Sequence, residues 1–320
     1  MKVGTFFSGV GSPEQALRNL DIKHEVEFAC DIDKYAKETY LKNFKPKLFA
    51  TDITTLEMKD LPFVDLLVFG FPCQAFSMAG KRQGFDDTRG TLFYDALRYL
   101  QEHKPRYFIA ENVKGLLSHD NSKTFQTIID CLAKTINYQM SLMPFENLGY
   151  HIHHKVLNTK DYGLPQNRER IFIIGIRDDE DNNFNFPKEI PLELKLKDIL
   201  QNEVDEKYYL SDKQIDRLDT GNTQAIEWIA DYRTDEGLRI RKDNNSPCLT
   251  ASRYSETEPS RMPPIIKKNT IRRLTPVECE RLQGFPNNFT AGVSDTQRYK
   301  QMGNTITVNV IQAILKNLLK

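Results

Sequence analysis

Four side chains in this sequence have the types and settings that nucleophilic chemistry requires: Cys73, Glu111, Arg168 and Arg170. Cys73 lies in GFPCQAFS (70–77), directly after the apolar run VDLLVF, where a buried strand gives way to a loop. A free thiol has a pKa of about 8.5, so without a helix terminus or a cation nearby only roughly a few per cent is thiolate at neutral pH. With Gly, Pro, Gln and Ser around it, Cys73 fits exposure at a site better than burial. Cys30, Cys131 and Cys279 read instead as small buried hydrophobes. Glu111 ends an apolar run in IAENV. If its strand and that of Cys73 are parallel neighbours, both fall on one sheet edge. A shielded carboxyl there has a raised pKa and can share a proton with a ring nitrogen; a helix-capping role is the equal alternative. Arg168 and Arg170 alternate onto one side of the extended segment QNRER, where they can bind an anion, orient Glu111 or form surface ion pairs.

The elements that must position these groups follow from the pattern of apolar residues. Short runs (KVGTFF, VEFAC, VDLLVFG, RYFIAEN, RIFIIGI) alternate with helical stretches at 33–44, 91–103 and 122–136. Strands apolar on both faces predict an α/β fold with a parallel sheet covered by helices. After Arg177 the periodicity fades into a loop-rich module. Order returns at TPVECE, where Thr275, Pro276 and Glu278 make a capping box, and the chain ends in a helix with Val308, Ile311, Leu315 and Leu318 on one stripe. Phe7-Ser8-Gly9-Val10-Gly11 follows the first strand, and its glycines let a ligand approach the backbone. A dinucleotide fingerprint wants a third glycine where this chain has Glu14, an acid that opposes a docked pyrophosphate; a nucleoside-like ligand without phosphates fits better. Asp31, twenty residues after Gly11, suits ribose hydroxyls, and Asp52 suits an adenine amino group.

The 320 residues carry a net charge of zero, but 238–273 holds nine basic against three acidic residues, a candidate phosphate footprint. Five dispersed cysteines without a CxxC pair argue against a disulfide framework or zinc site and for a reducing cytosol.

These blocks, in order, resemble the DNA cytosine-C5 methyltransferases of bacterial restriction–modification systems. The resemblance rests on FSGVG (7–11), CDID (30–33), TDI (51–53), GFPCQAFS (70–77), RGTLF (89–93), ENV (111–113), QNRER (166–170), RRLTPVECERLQGFP (272–286) and QMGNTITVNV (301–310). It implies a doubly wound, Rossmann-like sheet binding S-adenosylmethionine, with a catalytic domain at 1–177 and 286–320 interrupted by a smaller, irregular target-recognition domain at 178–285. It implies cofactor contacts at Phe7, Gly9, Gly11, Asp31, Ile32, Asp52, Ile53, Pro72, Leu92, Asn304 and Thr305, and release of S-adenosylhomocysteine. It assigns Cys73 as nucleophile and Glu111 as acid, Arg170 to the O2 edge of the base and to Glu111, and Arg168 to their support. DNA contacts are expected at Gln74, Ser77, Arg89, Arg239, Arg241, Arg253 and Arg272, with the segment 78–88 closing over a flipped cytosine. The implied setting is cytoplasmic and nucleoid-associated: a monomer acting on double-stranded DNA, paired with a separate endonuclease. Two positions depart from the family: Cys248-Leu249 stands where Thr-Leu is common, and GNT where GNS is usual. A transfer-RNA methyltransferase of the same lineage is the nearest alternative, disfavoured by the missing Cys-Phe-Thr tripeptide. A Rossmann oxidoreductase is disfavoured by the missing glycine.

Overall fold

Runs of β-branched and aromatic residues set the strands of the first half of the chain. The computed structural model describes residues 1–72, 92–140, 147–212, 215, 228–233, 237–240, 243, 245–251, 264–267 and 270–320. The strands are β1 (Lys2–Phe6), β2 (Glu25–Cys30), β3 (Leu48–Ala50), β4 (Leu66–Gly70), β5 (Tyr107–Val113), β6 (Ala133–Ile136), β7 (Gln139–Met140), β8 (Tyr150–Asn158), β9 (Gln166–Asn167) and β10 (Glu169–Ile176). Among the described residues, nine of them form one sheet in the order β3-β2-β1-β4-β5-β10-β8-β6-β7. From β3 to β5 all pairings are parallel. The order reverses between β1 and β4, the switch point where open α/β sheets bind ligands outside the carboxyl ends of their strands.

The chain packs as two compact units: Met1–Leu157 with Glu169–Pro187 and Ile314–Lys320, and Asn158–Arg168 with Lys188–Ala313. Compared with the expected domains, 158–168 and 286–313 lie in the second unit and 178–187 in the first. QNRER is itself divided, Arg168 going to one unit and Arg170 to the other.

Helices α1 (Ser12–Asn19), α2 (Lys34–Asn43), α3 (Leu92–His103) and α4 (Lys123–Leu132) follow the strands. Asp33 caps α2 by accepting from the amides of Tyr35 and Ala36 at 2.9 and 3.2 Å. The rings of Phe6, Phe28 and Tyr99, with centroids 5.1–5.6 Å apart, pack α3 onto β1 and β2.

Three expectations change. The helix expected over 122–136 stops at Leu132, because Ala133–Ile136 pair in parallel with β8 instead. β10 runs antiparallel to β5; an apolar run buried on both faces does not reveal strand direction, and mixed sheets are common. The module read as loop-rich contains a four-stranded antiparallel sheet, spatially Gly237–Ile240, Trp228–Arg233, Pro264–Lys267 and Thr270–Arg273. Strands of four to six residues carrying arginines and lysines give too little alternation to be read. The capping box forms as expected: Thr275 Oγ1 accepts from the Glu278 amide at 3.2 Å, and Glu278 accepts from the Thr275 amide at 2.8 Å. Val308, Ile311, Leu315 and Leu318 are all buried. Among the described residues no helix is long and apolar enough to cross a membrane.

Candidate active site

Parallel pairing brings the carboxyl ends of β1 to β5 to one edge of the first unit. In the segment after β1, Phe7, Gly9 and Gly11 all have positive φ, of 52, 53 and 89°. A phenylalanine in this region costs on the order of 1 kcal/mol, a strain typical of ligand-binding loops. Gly11 is required twice over: by its φ, and because a Cβ there would lie 2.4 Å from the Phe44 ring. At Gly9 a Cβ would meet nothing closer than the Phe7 carbonyl at 4.0 Å, so that side of the loop is open.

Polar side chains hold this loop from beneath and from the side. The Asp31 carboxylate, just past β2, accepts from the Gly9 amide at 2.7 Å and from the Asp33 amide at 2.8 Å. The Ser8 hydroxyl accepts from the Cys30 amide at 2.9 Å. Glu14 is fully buried and accepts from Tyr40 at 2.6 Å and Thr5 at 3.0 Å. Burial raises its pKa above the usual carboxylate value, more than these bonds lower it. Its carboxyl therefore faces inward as part of the loop's foundation, which weakens the expectation that it repels phosphates. The fit to a phosphate-free nucleoside rests instead on Asp31 beside the open glycine and on Ile32, which is 73% exposed on the same edge. Asp52, after β3, accepts from the amide and hydroxyl of Thr54. Ile53 is 4% exposed and packs into the core, so its side chain serves the fold. Pro72 is exposed after β4, and Leu92 is half-buried at the start of α3. Asn304, exposed, and Thr305, buried, lie at the end of the helix Asp295–Asn304 in the second unit.

The β4–β5 register sets Gly70 directly opposite Glu111, two residues before Pro72. Glu111 is 8% exposed. From β10, whose antiparallel register pairs Arg170 with Val113, the Arg170 Nε lies 3.1 Å from Glu111 Oε1. The expected acid and arginine thus meet. Arg170 also donates to the Glu169 carbonyl at 2.8 Å, while Lys114 pairs with the Glu169 side chain at 3.0 Å. Asn112, buried between Glu111 and Val113, donates to the Phe71 carbonyl at 2.9 Å. It ties the strand bearing the acid to the segment that enters Cys73. The ENV block contained Asn112, but residue type alone gave it no role.

Cys73, Gln74, Ser77, Arg89, Arg241 and Arg253, and the loop expected at 78–88, lie outside the described residues, as does the side chain of Arg239. Of the three thiols read as buried filler, Cys30 and Cys279 are buried, whereas Cys131 is half-buried against the core. Burial pushes Cys30 up to about 12 and Cys131 to about 11, and Cys279 is fully buried. Two expected site arginines have other tasks. Arg272, expected on DNA, is 5% exposed and holds both carboxylate oxygens of Glu278 at 2.8 Å. Arg168, expected to support Arg170 and Glu111, is 2% exposed in the second unit, where it donates to the carbonyls of Leu249, Gly303 and Thr305.

A family model described as C-5 cytosine-specific DNA methylase matches residues 1–320. Among curated proteins, the type II methyltransferase M.Bsp6I of Bacillus sp. (strain RFL6) is 37% identical, over all of this chain and 99% of its own. M1.ScrFI of Lactococcus lactis subsp. cremoris is 38% identical over all of this chain and 78% of its own. M.HhaI of Haemophilus parahaemolyticus is 37% identical over 98% and 92%. Solved structures share the fold at lower identity. A DNMT2 mutant from Spodoptera frugiperda aligns with a TM-score of 0.73 at 20% identity, covering 100% of this chain and 99% of that one. The Entamoeba histolytica methyltransferase EhMeth aligns at 0.70 and 22%, covering 100% and 98%.

Proposed function

Because the chain belongs to the C-5 cytosine-specific DNA methylase family and is a DNA methyltransferase of the restriction–modification type, we propose that it methylates C5 of a flipped-out cytosine through a covalent adduct on Cys73. The observation that carries this reading is the Arg170–Glu111 pair, held on adjacent strands beside the strand that leads to Cys73. C5 of cytosine is too weak a nucleophile to be methylated unaided. The Cys73 thiolate adds to C6, forming the S–C6 bond and sending electron density through the ring onto C5. Glu111 shares a proton with N3 and so stabilises the charge that develops there, while its carboxyl accepts from the amino group. Arg170 orients Glu111 and donates to O2. C5 takes the methyl group, a water-derived base removes the C5 proton, and the S–C6 bond breaks to restore the ring and the thiolate. In a stacked duplex none of these atoms is accessible, so the base leaves the helix at a cost of a few kcal/mol.

S-adenosylmethionine, when bound, supplies the methyl group as an electrophile on a sulfonium. The residues that would hold it are Phe7, Gly9, Gly11, Asp31, Ile32, Asp52, Pro72 and Leu92, with Asn304 and Thr305. The loop's open glycine, the acid locked beside it and the exposed Ile32 support this assignment. The substrate is a short palindromic site in double-stranded DNA, modified by a monomer, with a separate endonuclease cutting the unmodified site. The test is bisulfite sequencing of DNA from cells expressing the chain. Methylated cytosines in one short motif, absent with Cys73→Ser, are expected. Transfer to transfer RNA but not to duplex DNA, or full activity of Cys73→Ser, would overturn the reading.

A further inference from the structure

We propose that Arg168 is a positioning residue that couples the segment Ser246–Ala251 to the end of the helix Asp295–Asn304, so that cofactor occupancy at one is felt at the other. The inference rests on the reading of Asn304 and Thr305 as cofactor contacts. It goes beyond that reading by giving the second unit a physical link between cofactor and target recognition.

The geometry is that of a fork between two walls. The Arg168 Nη1 serves one wall, donating to the Leu249 carbonyl at 2.6 Å and to Cys248 Sγ at 3.3 Å. Its Nη2 serves the other, donating to the carbonyls of Gly303 at 3.1 Å and Thr305 at 2.7 Å. A planar guanidinium holds such divergent acceptors in fixed directions, which a flexible lysine ammonium cannot reproduce. Burial makes these bonds obligatory, since a desolvated cation must keep its acceptors.

Two neighbours make the walls move together. The Gln166 Oε1 accepts from the Leu249 amide at 3.1 Å, and its Nε2 donates to the Leu282 carbonyl at 2.9 Å. β9, which contains Gln166, pairs in parallel with Ser246–Pro247, and the Ser246 amide donates to the Pro165 carbonyl at 2.7 Å. Gly303 packs backbone to backbone against the opposite wall: a Cβ there would lie 2.3 Å from the Ala251 amide nitrogen and 2.4 Å from the Thr250 carbonyl carbon. No slack separates 249–251 from 303–305. A ligand that orders Asn304 and Thr305 therefore orders Leu249 to Ala251 through the same guanidinium, a linkage that is reciprocal for the two ligands.

The test uses S-adenosylhomocysteine as probe, with amide hydrogen exchange and DNA affinity as readouts. In the wild-type chain, S-adenosylhomocysteine is expected to slow exchange at 303–306 and also at 249–251, and to tighten binding of a cognate duplex. In Arg168→Lys, protection at 303–306 is retained, protection at 249–251 is lost, and the ratio of duplex Kd without and with S-adenosylhomocysteine falls toward one. Gly303→Ala forces the walls apart from the other side and is expected to give the same loss with Arg168 intact. A merely structural role would lower Tm and leave both the exchange pattern and the ratio as in the wild type. Protection at 249–251 persisting in both variants, or absent already in the wild type, would overturn the proposal. Asn304→Ala separates the two layers. Unchanged S-adenosylhomocysteine affinity would sink the cofactor reading of this loop and the coupling with it. Weakened affinity, with coupling intact in Arg168→Lys, would sink the coupling alone.

Discussion

The Arg170–Glu111 pair can be weighed before any assay of methyl transfer. The two side chains are 16% and 11% exposed, with Nε and Oε1 3.1 Å apart. At an effective dielectric of about 20, their attraction is on the order of 5 kcal/mol. Desolvation offsets much of this, so the pair adds little over two apolar residues of similar volume. Removing one partner is different, because it strands a charge in a site that has lost most of its water, at a cost of about 3–5 kcal/mol. Arg170→Met and Glu111→Gln are therefore each expected to destabilise the chain by about 3 kcal/mol, the lower part of that range, because both groups keep a little solvent. The double variant is expected to fall well short of the sum, with a coupling of at least about 2 kcal/mol. Urea unfolding of the four proteins, followed by circular dichroism, gives the cycle directly. Single losses that add to within about 0.5 kcal/mol would show that the contact carries no energy and would refute the argument.

Asn112→Ala removes the bond to the Phe71 carbonyl and leaves that acceptor buried. About 1–3 kcal/mol of lost positioning corresponds to a kcat lower by roughly 5- to 150-fold, with cofactor affinity unchanged in a titration; a matching loss of cofactor affinity would contradict the assignment. Burial raises the pKa of Glu14 above 4.5, so its contribution to stability is present below pH 4.5 and is lost as pH rises through its folded value. Relative to Glu14→Gln, the wild type should lose stability as pH rises through that window, by at most about 1.4 kcal/mol per pH unit, and parallel curves of unfolding free energy against pH would exclude it. Arg272→Met breaks a bidentate pair with Glu278 and should cost about 3–5 kcal/mol of stability while leaving the salt dependence of DNA binding unchanged. A shallower salt slope would restore Arg272 to the DNA interface.

The parts of this design that were legible in the sequence are those written by local rules. A strand ending at Gly70, a neighbouring strand that carries Glu111 and runs on to Val113, a glycine loop after β1, and a capping box at Thr275 follow from apolar runs, backbone freedom and reciprocal hydrogen bonds. The meeting of Glu111 with Arg170 was implied by the family resemblance; the residues alone left it one of three readings. What escaped was decided by partners that no local rule joins. Arg272 counted toward a basic window, but its charge is held by Glu278, outside that window. Arg168 and Arg170 alternate along one segment, so they looked like a pair; the chain passes from one unit to the other between them. Glu14 read as a first-turn acid opposing a docked pyrophosphate, yet Tyr40, 26 residues on, draws it inward. The tight contact of Gly303 with Thr250 and Ala251 has no local signature at all.

The central claim is a bond between the sulfur of Cys73 and C6 of the target cytosine. The most direct measurement is incubation with S-adenosylmethionine and a cognate duplex carrying 5-fluorocytosine, whose C5 fluorine cannot leave as a proton does. Denaturing electrophoresis and peptide mass spectrometry then follow. The expected result is a denaturation-resistant complex, with the modified nucleotide on the peptide containing Cys73. No adduct on the wild-type chain, or an equal yield from Cys73→Ser, would contradict the account.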